Sequence, residues 1–174
     1  MSSSDSAHPS IPAGDHNGYM QYALEQARKS PPKPTNYRVG AVLLDADTNK
    51  ILATGFTLEL PGNTHAEQCC IMKVAEAHSL PESDIGKVLP KNTVLYTTVE
   101  PCNKRLSGNK TCVERILDLG GAIKTVYVGV KEPEKFVGEN QGRKRLEDAE
   151  IAVQLVEGLD KEILDVATAG HIKE

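Results

Sequence analysis

In "NTHAEQCC" (63–70) a histidine and a glutamate stand two residues apart, and in "TVEPCNKRLSGNKTC" (98–112) two cysteines bracket a basic stretch. One imidazole and two thiolates are three zinc donors, and three is the number that leaves a fourth tetrahedral position for water; structural zinc sites normally close with four protein donors. Zinc lowers the pKa of bound water to about 7. His65, Cys102 and Cys112 are therefore candidate ligands of one zinc ion per chain. Glu67, not needed as a ligand, is the candidate group that takes a proton from water and passes it on. A second account of Glu67 stands beside this one. "T-H-A-E" has the form of a capping box, in which Thr64 accepts from the backbone of Glu67 and Glu67 reaches back to the amide of Thr64. "T-C-V-E" at 111–114 has the same form.

The surrounding pattern predicts which elements position these side chains. Asp15 is placed to cap a helix through "NGYMQYALEQARKS", with Tyr19, Met20, Ala23, Leu24 and Ala27 as its apolar stripe. "PPKPTNY" ends it, since consecutive prolines exclude helix. "RVGAVLLDADTNKILATGFTLEL" reads as a hairpin, "HAEQCCIMKVAEAHSL" as a helix and "NTVLYTTVE" as a buried strand. "CVERILDLGG" reads as a helix stopped by Gly120 and Gly121, "KTVYVGV" as another buried strand. "NQGRKRLEDAE", "IAVQLVEG" and "DKEILDVATAGH" continue the alternation of helix and strand. The expected fold class is α/β, one sheet of about five strands covered by helices. His65 and Cys112 each follow a cap residue, at the end of a helix whose dipole favours thiolate. Cys102 follows Pro101 at the exit of a buried strand, where open α/β sheets form their crevice.

Composition narrows the function classes. At 174 residues the chain suits one domain. Residues 1–14, rich in Ser, Pro and Asp, are expected to be a disordered tail, and 15–174 the single domain. A net charge of −4 gives no global field for nucleic acid. No segment has the apolar length to span a membrane. Four cysteines, two of them adjacent, and no secretory leader point to a reducing, cytoplasmic setting, where cysteine pairs more often bind metal than form bridges.

"H-A-E" followed by "P-C…C" resembles the zinc-dependent nucleobase deaminase signature, H-x-E…P-C-x-x-C. Nine residues separate Cys102 from Cys112, where cytidine and tRNA-adenosine deaminases have two. An expanded loop of this kind resembles the diaminopyrimidine deaminases of riboflavin biosynthesis. "EPCNKRLSGNKTCVERIL" is similar to their fungal form, as are "NYRVGAVL", "TGFTLELPGNTHAEQ" and the tail "GRKRLEDAEIAVQLVEGLDKEIL". The resemblance implies a cytidine-deaminase-like three-layer sandwich with a mixed sheet. It also implies hydrolytic release of ammonia from 2,5-diamino-6-ribitylamino-4(3H)-pyrimidinone 5′-phosphate and a homodimer; the acidic chain, with few basic and aromatic residues, is expected to have no nucleic-acid partner. The ribityl rather than ribosyl substrate follows from the fungal likeness alone. Cytidine, deoxycytidylate or tRNA-adenosine deamination is the alternative activity, and a noncatalytic zinc-stabilised module the alternative of another class.

The long loop carries Lys104, Arg105 and Lys110 with Ser107, Gly108 and Asn109 and no acid, a concentration of donors suited to phosphate. A solvated loop is the plainer account. Asn36 reads as a turn residue after the prolines; the family's asparagine at the matching place binds substrate, which implies the same for Asn36. The backbone amides of Ala66 and Cys102 are expected to orient water and the leaving amine. Bacterial relatives have a histidine where this chain has Leu58, and Glu59 is the nearest substitute. Cys69, four residues after His65, fits either the metal or the apolar face of its helix. Cys70 reads as packed or near a subunit contact, His78 as interacting with its helix C-terminus. His8, His16 and His171 lie near the chain ends and carry no assigned role.

Overall fold

The computed structural model describes residues 8–34, 36–102, 110–131 and 141–171. The expected elements are present: α1 (His16–Ala27), β1 (Gly40–Asp45), β2 (Lys50–Phe56), α2 (Ala66–His78), β3 (Thr93–Val99), α3 (Cys112–Leu117), β4 (Ile123–Val130), α4 (Gln141–Asp148), β5 (Ala152–Leu155) and α5 (Asp160–Ala167). A short 3-10 helix, Glu82–Lys87, between α2 and β3 was not anticipated. Asp15 caps α1 by accepting from the Gly18 amide at 3.1 Å. Gly120 and Gly121, both at positive φ, turn the chain after α3. Residues 1–7 lie outside the described residues. Within 8–14, the Ile11 carbonyl accepts from the Asn49 side chain at 2.7 Å, and His8 Nδ1 lies 2.7 Å from the Tyr22 hydroxyl.

The five strands form one sheet in the order β2-β1-β3-β4-β5. β1 is antiparallel to both β2 and β3, and β3, β4 and β5 run parallel. Central β3 is buried along its whole length. Its alternation sends Leu95 into the core beneath α2, α3 and α4, and Val94 and Tyr96 into the core beneath α1 and α5. The result is three layers.

This topology gathers the helix starts. Because β2 and β3 are each antiparallel to β1, they point the same way and end at the same edge. α2 begins just after β2, and α3 follows the exit of β3, so both N-termini meet beside the end of the central strand. α2 comes unusually close at its first turn. A Cβ on Gly55 of β2 would collide with the carbonyl oxygen of Ala66 and stand 3.0 Å from Cys69 Cβ.

Candidate active site

His65, Cys102 and Cys112 converge as their spacing predicted. The Nδ1 of His65 lies 3.4 Å from Cys112 Sγ and 3.6 Å from Cys102 Sγ. The three donor atoms all fall within 4.8 Å of one another, the only such cluster among the described residues. A tetrahedral zinc with Zn–S of about 2.3 Å and Zn–N of about 2.05 Å separates nitrogen from sulfur by about 3.6 Å. The residues present therefore fit the ion. The Cys112 amide donates to Cys102 Sγ at 3.3 Å. The neighbouring Cys112 side chain, then His65 and this amide, hold the Cys102 thiol down at about 4, against burial, which pushes it up. α3 starts as expected: Thr111 Oγ1 accepts from the Glu114 amide at 3.1 Å, and Glu114 Oε1 accepts from the Thr111 amide at 3.3 Å.

The expected Thr64–Glu67 capping box is not what the structure shows. The N-cap of α2 is His65, one residue later, and Gln68 Oε1 accepts from its amide at 3.2 Å. Thr64 instead donates its hydroxyl to the Leu60 carbonyl at 2.9 Å. The shift of one residue matters because it relieves Glu67 of the cap. Its carboxyl turns inward, 4 % exposed, with Oε2 3.3 Å from Thr97 Oγ1 on β3. Thr97 is anchored in turn, 2.9 Å from the Val99 carbonyl. Burial, and next the Cys102 sulfur, raise the Glu67 pKa above the usual carboxylate range, while His65 pulls it back. A buried carboxyl beside the donor cluster is placed to accept a proton and return it.

Beside these groups opens a cleft of about 160 Å³. Asn36 lines it together with His65, Glu67 and Cys102. Tyr37, Thr57, Asn63 and Glu100 also line it and were not singled out from the sequence. Asn63 and Glu100 adjoin the two motifs and could have been flagged on that ground; Tyr37 and Thr57 carry no comparable signal. Ala66, fully buried, is the first residue of α2, so its amide has no acceptor within the helix. Lys104, Arg105, Ser107 and Asn109 fall outside the described residues. Lys110 forms an ion pair with Asp118 at the end of α3. Glu59 pairs with Lys73 of α2 at 2.6 Å, and Cys69 approaches the Phe56 carbonyl at 3.6 Å rather than the ligand cluster.

The profile of the cytidine and deoxycytidylate deaminase zinc-binding region matches residues 14–130. The chain belongs to that family. It is 35 % identical over 157 residues to the diaminohydroxyphosphoribosylamino-pyrimidine deaminase of Schizosaccharomyces pombe, a match covering 90 % of this chain and 36 % of that protein. This chain thus spans about a third of the length of that curated relative. Among solved structures it resembles Aspergillus oryzae Rib2 deaminase, a C-terminal deletion mutant, at pH 6.5, with 46 % identity, a TM-score of 0.82 and coverage of 90 % and 92 % of the two chains. The same deaminase in complex with DARIPP matches at 46 % identity with a TM-score of 0.81, over 90 % and 91 % of the chains. The mixed five-stranded sheet flanked by helices is the fold of this zinc-dependent deaminase family, and His65, Cys102 and Cys112 form its candidate zinc site here.

Proposed function

We propose that the chain hydrolyses the 2-amino group of 2,5-diamino-6-ribitylamino-4(3H)-pyrimidinone 5′-phosphate, releasing ammonia and leaving a carbonyl at that carbon. The observation that carries this reading is the placement of a buried Glu67 beside three zinc-type donors, lining one cleft with two of them. His65, Cys102 and Cys112 hold the metal, which supplies Lewis acidity and a water ionisable near neutral pH. Glu67 takes a proton from the attacking water and delivers it to the ring nitrogen next to the reacting carbon. It then passes a proton to the departing amine, so that water is consumed and ammonia leaves. Thr97 keeps the carboxyl turned toward the cleft during both transfers. The amides of Ala66 and Cys102 orient water and amine, and Asn36 binds the pyrimidine. Lys104, Arg105, Ser107 and Asn109 are the proposed phosphate contacts. The substrate assignment is supported by the likeness to a fungal deaminase crystallised with DARIPP.

Ammonia release should be measured with this ribityl compound, its ribosyl analogue, cytidine and deoxycytidylate. The reading requires the ribityl phosphate to have the highest kcat/KM, and preference for cytidine or deoxycytidylate overturns it. Glu67→Gln should lower kcat by about 10²–10⁴-fold, the usual worth of a positioned acid–base group. Its zinc content should stay at one per chain. Full zinc with full activity removes Glu67 from the mechanism, whereas absence of turnover in the unsubstituted protein favours the noncatalytic module. A cytoplasmic homodimer completes the proposal. None of its four cysteines forms a disulfide, which suits a reducing compartment, and among the described residues no helix is long and apolar enough to cross a membrane. Sedimentation equilibrium measures the dimer.

A further inference from the structure

His171, at the far end of the chain, touches the segment that carries Asn36. Its Nε2 lies 2.8 Å from the Asn36 carbonyl oxygen, across 135 residues of sequence. A carbonyl can only accept, so Nε2 carries the hydrogen and donates. The same ring meets Tyr37 edge to face, with centroids 4.9 Å apart at 64°. Both partners line the cleft. Two further contacts tie the C-terminal turn to this segment. The Arg38 amide donates to the Ala167 carbonyl at 3.0 Å, and a Cβ on Gly170, at φ 101°, would stand 2.7 Å from the Lys33 backbone nitrogen.

The segment needs such support. Residues 31–34 and 36–39 form neither helix nor strand, and Pro31, Pro32 and Pro34 have no amide hydrogen to donate. At its far end Val39 is secured to the residue after β2, its amide donating to Thr57 Oγ1 at 3.0 Å. Between the prolines and Val39, His171 of the C-terminal turn contacts both Asn36 and Tyr37. We infer that His171 is a positioning residue for substrate binding, holding the backbone of Asn36 so that its side chain meets the pyrimidine. The inference rests on the reading above that Asn36 contacts substrate. It makes the closing turn of the fold part of the binding apparatus although that turn lines no part of the cleft.

The test measures KM and kcat for ammonia release from the ribityl diaminopyrimidine phosphate, with zinc content and melting temperature checked for each variant. His171→Phe keeps a ring against Tyr37 but removes the donor. It should raise KM about five- to tenfold, the scale of one net hydrogen bond, and leave kcat within about twofold. His171→Gln restores an N–H at a similar reach and should bring KM back to within about twofold of the unsubstituted protein. His171→Ala, which loses the ring as well, should raise KM at least as far as the phenylalanine variant. In an Asn36→Ala background the same His171→Phe change should add less than about twofold, because interacting residues are not additive. An unchanged KM in both the phenylalanine and alanine variants overturns the inference, as does a loss confined to kcat or a glutamine variant no better than phenylalanine. The two readings separate cleanly. Asn36→Ala with raised KM beside normal His171 variants defeats the inference alone, whereas Asn36→Ala with normal KM defeats the substrate role of Asn36 and the inference with it.

Discussion

Two pairs of cysteines lie within one small protein and behave oppositely. Cys69 and Cys70 ride on α2, both fully buried, and burial pushes both thiols up. Cys112 is just as buried, and Cys102 is more than half covered by its neighbours, yet the Cys102 thiol is held down at about 4. Burial alone cannot account for the contrast. What differs is the polarity of the groups facing each sulfur. Cys70 faces the carbonyl oxygen of Ala53 and Cys69 that of Phe56, acceptors that favour the thiol, and although Thr64 and the Leu60 backbone pull the Cys69 thiol down, burial outweighs them. Cys102 faces an amide hydrogen, an imidazole and a second thiol. Donors stabilise a thiolate, and a site rich in donors is ready for a cation that replaces their protons.

The severest way to break the comparison is to remove one ligand. Cys112→Ser should abolish stoichiometric zinc by elemental analysis and take ammonia release to background, whereas a Cys69→Ala variant should retain its zinc. Retention of zinc by Cys112→Ser would show that the donors serve another purpose. A milder probe keeps every side chain. In the metal-stripped protein at pH 6, Cys102 should be alkylated by iodoacetamide and Cys69 and Cys70 should not, as read by peptide mass spectrometry. The sign follows from the depressed value: thiolate is present above a pKa of about 4 and is lost as the pH falls through it, so pH 6 leaves Cys102 almost wholly reactive. Labelling of Cys70 ahead of Cys102 reverses the assignment, and added zinc should protect Cys102. The smallest effect belongs to Cys70→Ala, which deletes one buried sulfur from the core. It should cost about 1 kcal/mol in a denaturant melt, within the ordinary range for such truncations, and leave zinc content unchanged.

Much of the fold was legible because its elements are short and sharply punctuated. Asp15, the proline run, and Gly120 with Gly121 stop or start helices for local steric reasons, so their effect could be read from neighbours in the chain. The ligand set was legible for the same reason, since each donor sits beside a strand exit or helix start. The α2 cap was misread by one residue. "T-H-A-E" and "H-A-E-Q" both satisfy a capping pattern, and only the path of the 57–64 loop decides that Gln68 rather than Glu67 reaches back. Thr97 and His171 were invisible because their partners lie 30 and 135 residues away. No periodicity encodes such pairings; they exist only once the sheet has brought β3 under α2 and the last turn beside the proline-rich segment.

The missing side chain at Gly55 has a consequence for anyone mapping tolerance to substitution across this chain. At a residue with no side chain of its own to contribute, even alanine would press on the first turn of α2, which carries the imidazole of His65. A scan scored on turnover should therefore find an intolerant site where an inventory of reactive groups finds nothing at all.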